Sequence, residues 1–431
     1  MNDQQSANIA SADSSPVLPG ATLGVLGGGQ LGRMWAQAAA QLGYRTVVLE
    51  PDPHSPAGQV SADLIQADYA DLKGLTQLAA KCQAVTTEFE NVPAPTLKWL
   101  ADQGCTVAPS AQAVAIAQDR LLEKALFTAC GGLDEGSLLR CAPYLPITTA
   151  ADCAAVPAQL LPGILKTARL GYDGKGQQSI ATAAELLAAW QRLGGVPCVL
   201  EKRLALKAEC SVVAARGRDG SFVSYAAQVN THIDGVLALT EAYGEASNLP
   251  PAQCLYAREA IKTIAEKLGY VGVLCLEFLI VDDGSADGAW VVNEMAPRPH
   301  NSGHYTVDAC DVSQFELQVR AMAGLPLPQP RQHSPALMLN LLGDLWFQGD
   351  GSRQPRTPDW ASVLALPGAH LHLYGKAEAR RGRKMGHLTV TGAEAAQVQA
   401  VAHQAIARLG LPPLRLQPLA QSPPVQKSAV P

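Results

Sequence analysis

The chain has 431 residues, more than one ordinary hydrophobic core organises, so we expect about three domains. Hydrophobic residues make up 48% of it and charged residues 16%, which excludes intrinsic disorder for most of the chain. The formal net charge of −5 lacks the basic excess that binds a phosphate backbone, so we expect no nucleic-acid partner. Charged residues interrupt the longest apolar stretches well before the ~20 residues of a membrane-spanning helix, so we expect no membrane partner.

The cysteine pattern and the amino terminus indicate a cellular compartment. Ten cysteines are scattered without a C-x-x-C pair, several of them in apolar runs such as VLCLEF, which suits reduced, buried thiols. Residues 1–20 are small and polar, with neither the cationic leader nor the apolar segment of a signal peptide, and we expect a disordered tail there. We therefore predict a cytoplasmic location.

Residues 21–118 alternate between short apolar runs and helical patterns. The runs ATLGVLG, RTVVLE, DLIQAD, AVTTEF and CTVAP are strand candidates, and an Ala-rich helix is expected from about 30 to 43. Alternation of this kind predicts a doubly wound, Rossmann-like parallel sheet.

A glycine-rich loop follows the first of these strands. Gly27, Gly29 and Gly32 satisfy G-x-G-x-x-G, and Glu50 ends the next strand, which completes the dinucleotide fingerprint. The same loop suits any anionic group near a helix amino terminus, and its glycines also serve simply to close a tight turn.

Residues 119–325 change in character. A helix from about 110 to 130 leads into strand runs such as GILKTA, CVLEKR and CSVVAAR, and one further helix is expected at 251–268. This pattern predicts an α+β domain with antiparallel strands.

A second glycine-rich loop, GYDGKGQ at 171–177, follows the strand that ends in Lys166. Its glycines and lysine suit a flap that closes over phosphate groups with backbone N–H groups and a cation. An exposed hairpin tip is the alternative.

Two glutamates face each other in a predicted antiparallel hairpin. The strands VGVLCLEFLIV and AWVVNEMAP flank a turn centred near residue 285, which pairs Glu277 with Glu294 to within one residue. Paired carboxylates in apolar strands repel unless a cation lies between them, and a hard divalent ion resolves the conflict. Side chains on opposite faces, or an arginine partner, are the alternatives.

The segment APRPHNSGHYT at 296–306 follows directly. It concentrates Arg298, His300, Asn301, Ser302 and His304 beside the carboxylate pair, as a reaction centre does. The prolines and the glycine within it oppose the helix that a zinc-binding histidine pair at this spacing requires, so we predict no zinc site.

Residues 326–411 contain the strand candidates ALMLNLLG, AHLHLYG and GHLTVTG and a helix at 393–409, which predicts a small β-rich domain. A basic cluster between 374 and 387 includes Lys376, Arg383 and Lys384 and suits a phosphate or carboxylate ligand; a solvated basic turn is the alternative. Residues 412–431 form a Pro-rich tail.

In this order the motifs resemble the ATP-grasp superfamily and, within it, the N5-carboxyaminoimidazole ribonucleotide synthase family. The resemblance covers about residues 21–410, and its most specific pieces are GGGQLGRM, TEFENVP, GYDGKGQ, NEMAPRPHNSGHYT and GRKMGH. It implies an ATP-grasp fold with an amino-terminal Rossmann-like domain and a small carboxyl-terminal β-rich domain. It also implies ATP- and bicarbonate-dependent carboxylation of 5-aminoimidazole ribonucleotide through carboxyphosphate, in purine biosynthesis, by a homodimer.

The resemblance assigns a role to each matching residue. It implies ATP contacts from Arg120, Lys166, Gly171, Tyr172, Asp173, Gly174, Lys175, Gly176, Gln177, Glu201, Lys202, Arg203, Leu204, Glu209, His232, Asn293 and Glu294. It implies Mg²⁺, or Mn²⁺, at Glu277 and Glu294. It implies ribonucleotide or acceptor contacts from Gln30, Glu88, Tyr172, His300, Asn301, Ser302, Lys376, Arg383 and Lys384, with Asp173, Arg298 and Lys376 as catalytic residues.

One departure from the family pattern is Leu170, where two consecutive glycines usually enter the flap. A leucine there is expected to stiffen the hinge.

Other functions explain fewer of the motifs. A Rossmann oxidoreductase accounts for the first glycine loop alone. Another ATP-grasp ligase, such as a formate-dependent glycinamide ribonucleotide transformylase or a biotin carboxylase, shares the nucleotide motifs but not GYDGKGQ with GRKMGH. A nucleotide-binding regulator does not require a full set of metal carboxylates and phosphate-binding cations.

Overall fold

The computed structural model describes residues 15–131, 139–171, 176–347 and 355–419. Its first sheet is formed by β1 (Thr22–Leu26), β2 (Arg45–Leu49), β3 (Asp63–Ile65), β4 (Ala84–Thr87) and β5 (Thr106–Val107), with helices α1 (Gln30–Gln41), α2 (Leu72–Lys81) and α3 (Ala94–Asp102). All strands are parallel, in the order β3-β2-β1-β4-β5. The predicted doubly wound sheet is confirmed, and its strand order reverses between β1 and β4, where ligands bind in such sheets.

The single helix predicted from about 110 to 130 is wrong, because two helices occupy this segment. They are α4 (Ala111–Ala117) and α5 (Arg120–Ala129). Asp119 between them has an extended backbone, and its carboxylate accepts the N–H of Leu121. An aspartate in this position caps a new helix, so α5 begins at Arg120.

A four-stranded antiparallel sheet follows. It contains β6 (Tyr144–Ile147), β7 (Gly163–Thr167), β8 (Gln177–Ile180) and β9 (Cys198–Lys202), with helices α6 (Ala150–Ala154) and α7 (Ala183–Arg192). The strand order is β6-β9-β7-β8, so β7 and β9 are its inner strands.

The largest sheet is antiparallel and has nine strands. Its strands are β10 (Leu206–Arg216), β11 (Phe222–Ser224), β12 (Gln228–Ile233), β13 (Val236–Ala242), β14 (Gly272–Val281), β15 (Ala289–Ala296), β16 (Ala336–Leu342), β17 (Ala369–Leu373) and β18 (Lys384–Thr391). The accompanying helices are α8 (Pro251–Lys267), α9 (Thr306–Ala309), α10 (Gln314–Ala323), α11 (Trp360–Leu364) and α12 (Ala395–Arg408). The strand order in this sheet is β15-β14-β10-β12-β13-β16-β18-β17, and β11 pairs with β10.

The carboxyl-terminal strands continue this sheet. β16 pairs with β13, with Leu239 opposite Leu339, so no break separates the two segments. The carboxyl-terminal segment is β-rich as expected, but within the described residues it does not form a sheet of its own. The limits 21–118, 119–325 and 326–411 stay predictions.

Helix α10 joins the parallel sheet to the large sheet. The side-chain amide of Gln318 donates to Thr86 Oγ1 of β4 at 2.9 Å, and its oxygen accepts the N–H of Val273 of β14 at 2.6 Å. All of these groups are buried, so the two sheets are held in a defined relation by satisfied polar contacts as well as by apolar packing.

Parts of both predicted tails are packed on the protein. Val17 donates its N–H to Ala323 O at 2.8 Å, and Gln417 donates its N–H to Glu241 Oε1 at 3.0 Å. Leucines 414, 416 and 419 pack against the core cluster around α12. Residues 1–14 and 420–431 of these tails lie outside the described residues.

Among the described residues, no helix has both the length and the apolar character needed to cross a bilayer.

Candidate active site

A cavity of about 350 Å³ lies between the four-stranded sheet, the large sheet and the loop after β4. Its wall contains the predicted residues Arg120, Lys166, Gly171, Gln177, Glu209, His232, Glu277, Asn293, Glu294, Arg298, His300, Asn301 and Lys384. These positions run from the start of α5 to the start of β18, so the fold collects motifs that are distant in sequence into one charged site. The volume is typical of small-molecule sites.

Other predicted residues lie elsewhere. Gly176, Glu201, Lys202, Arg203, Leu204, Gln30, Glu88, Ser302, Lys376 and Arg383 do not belong to this wall. Tyr172, Asp173, Gly174 and Lys175 lie outside the described residues, so the structure does not place the core of the predicted flap.

Glu277 and Glu294 are neighbours across the β14–β15 hairpin, which confirms the register expected from the turn. Leu276 pairs with Met295 and Phe278 with Val292, so a bulge sets Glu277 opposite both Asn293 and Glu294. The bulge was not predicted; it brings an extra polar side chain to the same point.

The electrostatics of this pair fit a divalent cation. Burial, and then the neighbouring Glu294, raise the pKa of Glu277 to about 7. Burial alone would raise the pKa of Glu294 as well, but Arg120, whose Nη1 lies 3.0 Å from Glu294 Oε2, and Lys166 lower it overall. Two close carboxylates and the Asn293 amide are the hard oxygen donors that Mg²⁺ prefers, and the raised pKa of Glu277 marks a charge that the protein leaves without enough cationic neighbours.

Glu201 lies behind the cavity wall between two lysines. Lys124 Nζ lies 3.4 Å from Glu201 Oε1, and Lys166 Nζ lies 3.1 Å from Oε2. Burial alone would raise the pKa of Glu201, but these lysines lower it to about 2. Lys124 also donates to Asn293 O at 3.0 Å and is fully buried. The lysine thus ties the four-stranded sheet to the strand that carries Glu294.

His300 and Ser302 form a second layer beside the carboxylates. His300 Nε2 lies 3.1 Å from Glu277 Oε1, and its Nδ1 lies 2.9 Å from Ser302 Oγ. Burial, and then Arg298, lower the pKa of His300 well below its ordinary value, so this imidazole is neutral. Ser302 is fully buried and bonds Ser211 Oγ at 2.8 Å, so its hydroxyl orients His300 from behind the cavity wall.

His232 and Glu209 lie in contact on neighbouring strands of the large sheet. Burial alone would lower the pKa of His232, but its hydrogen bond to Glu209 and the nearby Glu277 raise it overall. Both side chains line the cavity and lie close enough to Glu277 for the charges to interact.

Arg298 is held by a residue that the sequence analysis did not identify. Its Nε and Nη2 atoms lie 2.5 and 2.8 Å from the two carboxylate oxygens of Glu90, in the loop after β4. Burial alone would raise the pKa of Glu90, but Arg298 lowers it to about 2.

The first glycine loop already has carboxylate partners within the protein. Gly28 donates its N–H to Glu50 Oε2 at 2.7 Å, and Gly29 and Gly32 donate theirs to the two oxygens of Glu88 at 2.9 Å each. Gly27 has φ +103°, and a Cβ there would lie 2.5 Å from Glu88 Cγ. The glycines therefore let the carboxylates of Glu50 and Glu88 approach the amino terminus of α1. These carboxylates occupy the N–H groups that would bind a pyrophosphate if the loop were a dinucleotide site.

The basic cluster lies where the carboxyl-terminal segment meets the parallel sheet. Lys376 Nζ donates to Lys384 O at 2.6 Å, and burial and the nearby Arg383 lower the pKa of Lys376 to about 8. Gln59 Nε2 donates to Gly375 O at 2.9 Å, which fixes the cluster beside the segment between β2 and β3. Of the three predicted cations, Lys384 lines the cavity that holds Glu277 and Glu294, whereas Lys376 lines a neighbouring cavity.

At the described entrance to the predicted flap, Leu170 adopts a left-handed backbone with φ 60°. Its side chain is 75% exposed, so no packing compensates the strain of this conformation.

Sequence reasoning missed Glu90, Glu123 and Lys124. Glu123 is buried and accepts the N–H of Met295 at 2.7 Å, and burial raises its pKa to about 7. Each of the three lies in a motif from which another residue was chosen, DRLLEK or TEFEN. Their charge inside motifs of the site was the available signal.

A doubly wound sheet followed by two antiparallel sheets, with a carboxylate hairpin and several cationic side chains around the cavity, defines an ATP-grasp ligase. Three family models match the chain: the ribonucleotide synthetase preATP-grasp domain at residues 20–118, the ATP-grasp domain at 135–315, and the phosphoribosylaminoimidazole carboxylase C-terminal domain at 336–401. The chain is 43% identical to N5-carboxyaminoimidazole ribonucleotide synthase of Brucella melitensis over 384 residues, which cover 88% of this chain and 98% of that protein.

Solved structures agree. The N5-carboxyaminoimidazole ribonucleotide synthetase of Thermus thermophilus matches with a TM-score of 0.79 and 36% identity, over 92% of this chain and 100% of that one. The Aspergillus clavatus N5-carboxyaminoimidazole synthase, solved with ADP and 5-aminoimidazole ribonucleotide, matches with a TM-score of 0.77 and 29% identity, over 92% and 99%. The chain belongs to the N5-carboxyaminoimidazole ribonucleotide synthase family.

Proposed function

We propose that the protein uses ATP and bicarbonate to carboxylate the exocyclic amine of 5-aminoimidazole ribonucleotide, with release of ADP and phosphate. The observation that carries this proposal is the meeting of Glu277 and Glu294 with Arg120, Lys166 and Arg298 in one cavity of a chain of this family. An Aspergillus clavatus relative has been solved with ADP and this ribonucleotide.

The reaction has two steps, a phosphoryl transfer to bicarbonate and a carboxyl transfer to the amine. A bicarbonate oxygen attacks the γ-phosphorus, the bond from that phosphorus to the β–γ bridging oxygen breaks, and ADP leaves with carboxyphosphate formed. The amine nitrogen then attacks the carboxyl carbon, directly or after release of CO₂, phosphate leaves, and the amine loses one proton. Enclosure protects the intermediate from water.

Catalysis of phosphoryl transfer rests on positioning and electrostatic stabilisation, to which cationic side chains contribute. We assign Arg120 and Lys166 to the ATP phosphates, since both point into the cavity beside Glu294. Glu201 orients Lys166 through its 3.1 Å contact. Arg298 faces the transferring phosphoryl group, where a fixed positive charge stabilises developing negative charge.

The remaining nucleotide assignments rest on motif position. The segment Glu201 to Leu204 meets the adenine, Glu209 holds the ribose hydroxyls, and His232 lies next to it. Residues 171–177 cover the phosphates.

Glu277, Glu294 and Asn293 form the proposed Mg²⁺ site, which Mn²⁺ also suits. A bound divalent ion neutralises phosphate charge and orients the transferring group. The two carboxylates and the Asn293 amide would supply oxygen ligands to the ion, and His300, whose pKa is lowered and which Ser302 fixes, borders Glu277 without adding positive charge.

We assign the ribonucleotide to the space between the first glycine loop and the basic cluster. Gln30 and Glu88 lie on one side of it, and Lys376, Arg383 and Lys384 hold the 5′-phosphate on the other; Tyr172 is assigned to the ribonucleotide by its motif alone. Asp173 orients or deprotonates the amine, and an Asp173→Asn enzyme with unchanged turnover would contradict that role.

We also propose a cytoplasmic homodimer. The ten cysteines are all free thiols in the structure, which suits a reducing compartment.

The decisive experiment measures ADP release from Mg-ATP with and without 5-aminoimidazole ribonucleotide, in buffer stripped of bicarbonate and then resupplied. Turnover that requires both compounds, with an acid-labile carbamate as product, is the expected result. Turnover with glycinamide ribonucleotide and formate would show that the acceptor is a different ribonucleotide. Absence of ATP turnover with every acceptor would contradict the proposal.

A further inference from the structure

The guanidinium of Arg298 has a fixed orientation. Glu90 accepts from Nε at 2.5 Å and from Nη2 at 2.8 Å, and Pro299 O accepts from Nη1 at 3.1 Å. Two parallel bonds to one carboxylate set the plane of the guanidinium as well as its position. The N–H groups left on Nη1 and Nη2 therefore have defined directions at the cavity wall.

The carboxylate partner is itself held in place. The side-chain amide of Gln118, between α4 and α5, lies 2.5 Å from Glu90 O and from Val92 O. Thr87 Oγ1 donates to Phe89 O at 2.9 Å. The backbone around Glu90 is thus fixed on both sides, so its carboxylate is a rigid support.

The same short segment contacts the first glycine loop. Glu88, two residues before Glu90, accepts the N–H groups of Gly29 and Gly32. One end of the segment Glu88–Glu90 therefore lies on the glycine loop and the other end on Arg298, and both belong to the crossover point of the parallel sheet.

We infer that Glu90 is a positioning residue for phosphoryl transfer: it aims Arg298 into the cavity and links that arginine, through Glu88, to the glycine loop. The inference rests on the proposed function, in which Arg298 faces the transferring phosphoryl group. No bond to Arg298 forms or breaks; its contribution is a charge held in the right place before the reaction starts.

The test compares Glu90→Gln, Glu90→Asp and the matched control Glu316→Gln. Glu316 pairs with Arg320 on α10 at 2.5 Å and is also partly buried, but it lies outside the cavity wall. The measurements are kcat and KM for ATP in the presence of ribonucleotide and bicarbonate, together with the Kd of Mg-ADP.

For Glu90→Gln we expect kcat to fall about 10²-fold while KM for ATP and the Kd of Mg-ADP change less than about threefold, since a misplaced catalytic group affects the transition state more than ground-state binding. Glu90→Asp, which keeps the charge, should lose less. Glu316→Gln should match the wild type.

An unchanged kcat in Glu90→Gln would overturn the inference. So would a fall in kcat accompanied by an equal loss of Mg-ADP affinity, because that pattern indicates general disruption of the site. If Glu90→Gln does not fold, Glu90→Asp decides: a smaller fall in kcat with unchanged Mg-ADP affinity supports the inference, and an unchanged kcat overturns it. A wild-type enzyme that does not turn over ATP with the ribonucleotide would overturn the proposed function and this inference with it, whereas wild-type turnover with an unaffected Glu90→Gln enzyme overturns the inference alone.

Discussion

Glu201 lies behind the wall of the cavity and Glu277 in the wall itself, and the charges of these two carboxylates are compensated to different degrees. Glu201 contacts two lysines and has a pKa of about 2, whereas Glu277 has a second carboxylate and a neutral histidine as its neighbours and a pKa of about 7. The lysines of the chain itself compensate the charge of Glu201. The charge of Glu277 lacks such partners and is available to a cationic ligand, so the contrast in pKa separates a structural carboxylate from a proposed metal ligand.

The largest expected effect comes from breaking the compensated charge. Lys124→Met removes one partner of Glu201 and leaves the Asn293 carbonyl without its donor, so we expect the free energy of unfolding to fall by about 3–5 kcal/mol. Urea denaturation measures this change. The exposed pair Lys98–Asp102 is the control, and Lys98→Met should change stability by less than about 0.5 kcal/mol. Equal losses of stability in Lys124→Met and Lys98→Met would show that the buried lysine is no more important to folding than an exposed one.

The uncompensated charge should behave in the opposite way. Glu277→Gln removes a like-charge repulsion, so stability at neutral pH should stay the same or rise, while ATP turnover should fall at least about 10²-fold because a proposed metal ligand is lost. Denaturation and steady-state ADP release give the two numbers. A destabilised variant with nearly normal turnover would show that Glu277 is a structural carboxylate.

The two carboxylates should also give opposite pH dependences. The pKa of Glu277 is raised in the folded protein, so its contribution to stability is complete below about pH 4.5 and is lost as the pH rises through about 7. The pKa of Glu201 is lowered, so its contribution is complete above about pH 4.5 and is lost as the pH falls towards about 2.

A divalent cation competes with the proton on Glu277, so MgCl₂ should raise Tm more at about pH 8 than at about pH 5. Differential scanning fluorimetry at both pH values checks this expectation. The difference should vanish in Glu277→Gln, and its persistence there would place the cation elsewhere.

The smallest expected effect concerns the backbone beside this site. Leu170→Gly relieves a left-handed leucine but adds freedom to the unfolded chain, so the free energy of unfolding should change by less than about 1 kcal/mol. Thermal denaturation is the measurement, and Leu187→Gly, on α7, is a contrasting variant in which glycine should be plainly destabilising. A larger stabilisation of Leu170→Gly would mean that more strain is stored at this hinge than its φ value indicates.

Local patterns predicted much of the fold. The apolar runs gave the parallel strands, and the turn near residue 285 gave the register that pairs Glu277 with Glu294. The bulge was not predictable, because the turn fixes the average register of the hairpin but not a local register shift within it. The helix break at Asp119 had a local signal, an N-cap residue, which the continuing helical pattern obscured.

The partners of charged residues were the least predictable part of the site. Lys124 of α5 pairs with Glu201 of β9, and Glu90 pairs with Arg298, 208 positions further along the chain. No periodicity connects such residues, since long-range pairing depends on how the sheets are docked. The two roles of the glycine loop, as an anion site or a tight turn, could likewise be separated only once Glu88 was placed on it.

The unbroken sheet from β15 to β17 also governs how the chain can be divided. A fragment that ends at residue 325 keeps the carboxylate hairpin but loses β16, which leaves the backbone of β13 as an open edge. It also uncovers Leu239 and Tyr243, which are buried in the cluster around α12. Such an edge recruits strands from other molecules, so the fragment should aggregate although its own motifs are complete. The last quarter of the chain therefore protects the large sheet from edge-to-edge association and also carries the basic cluster.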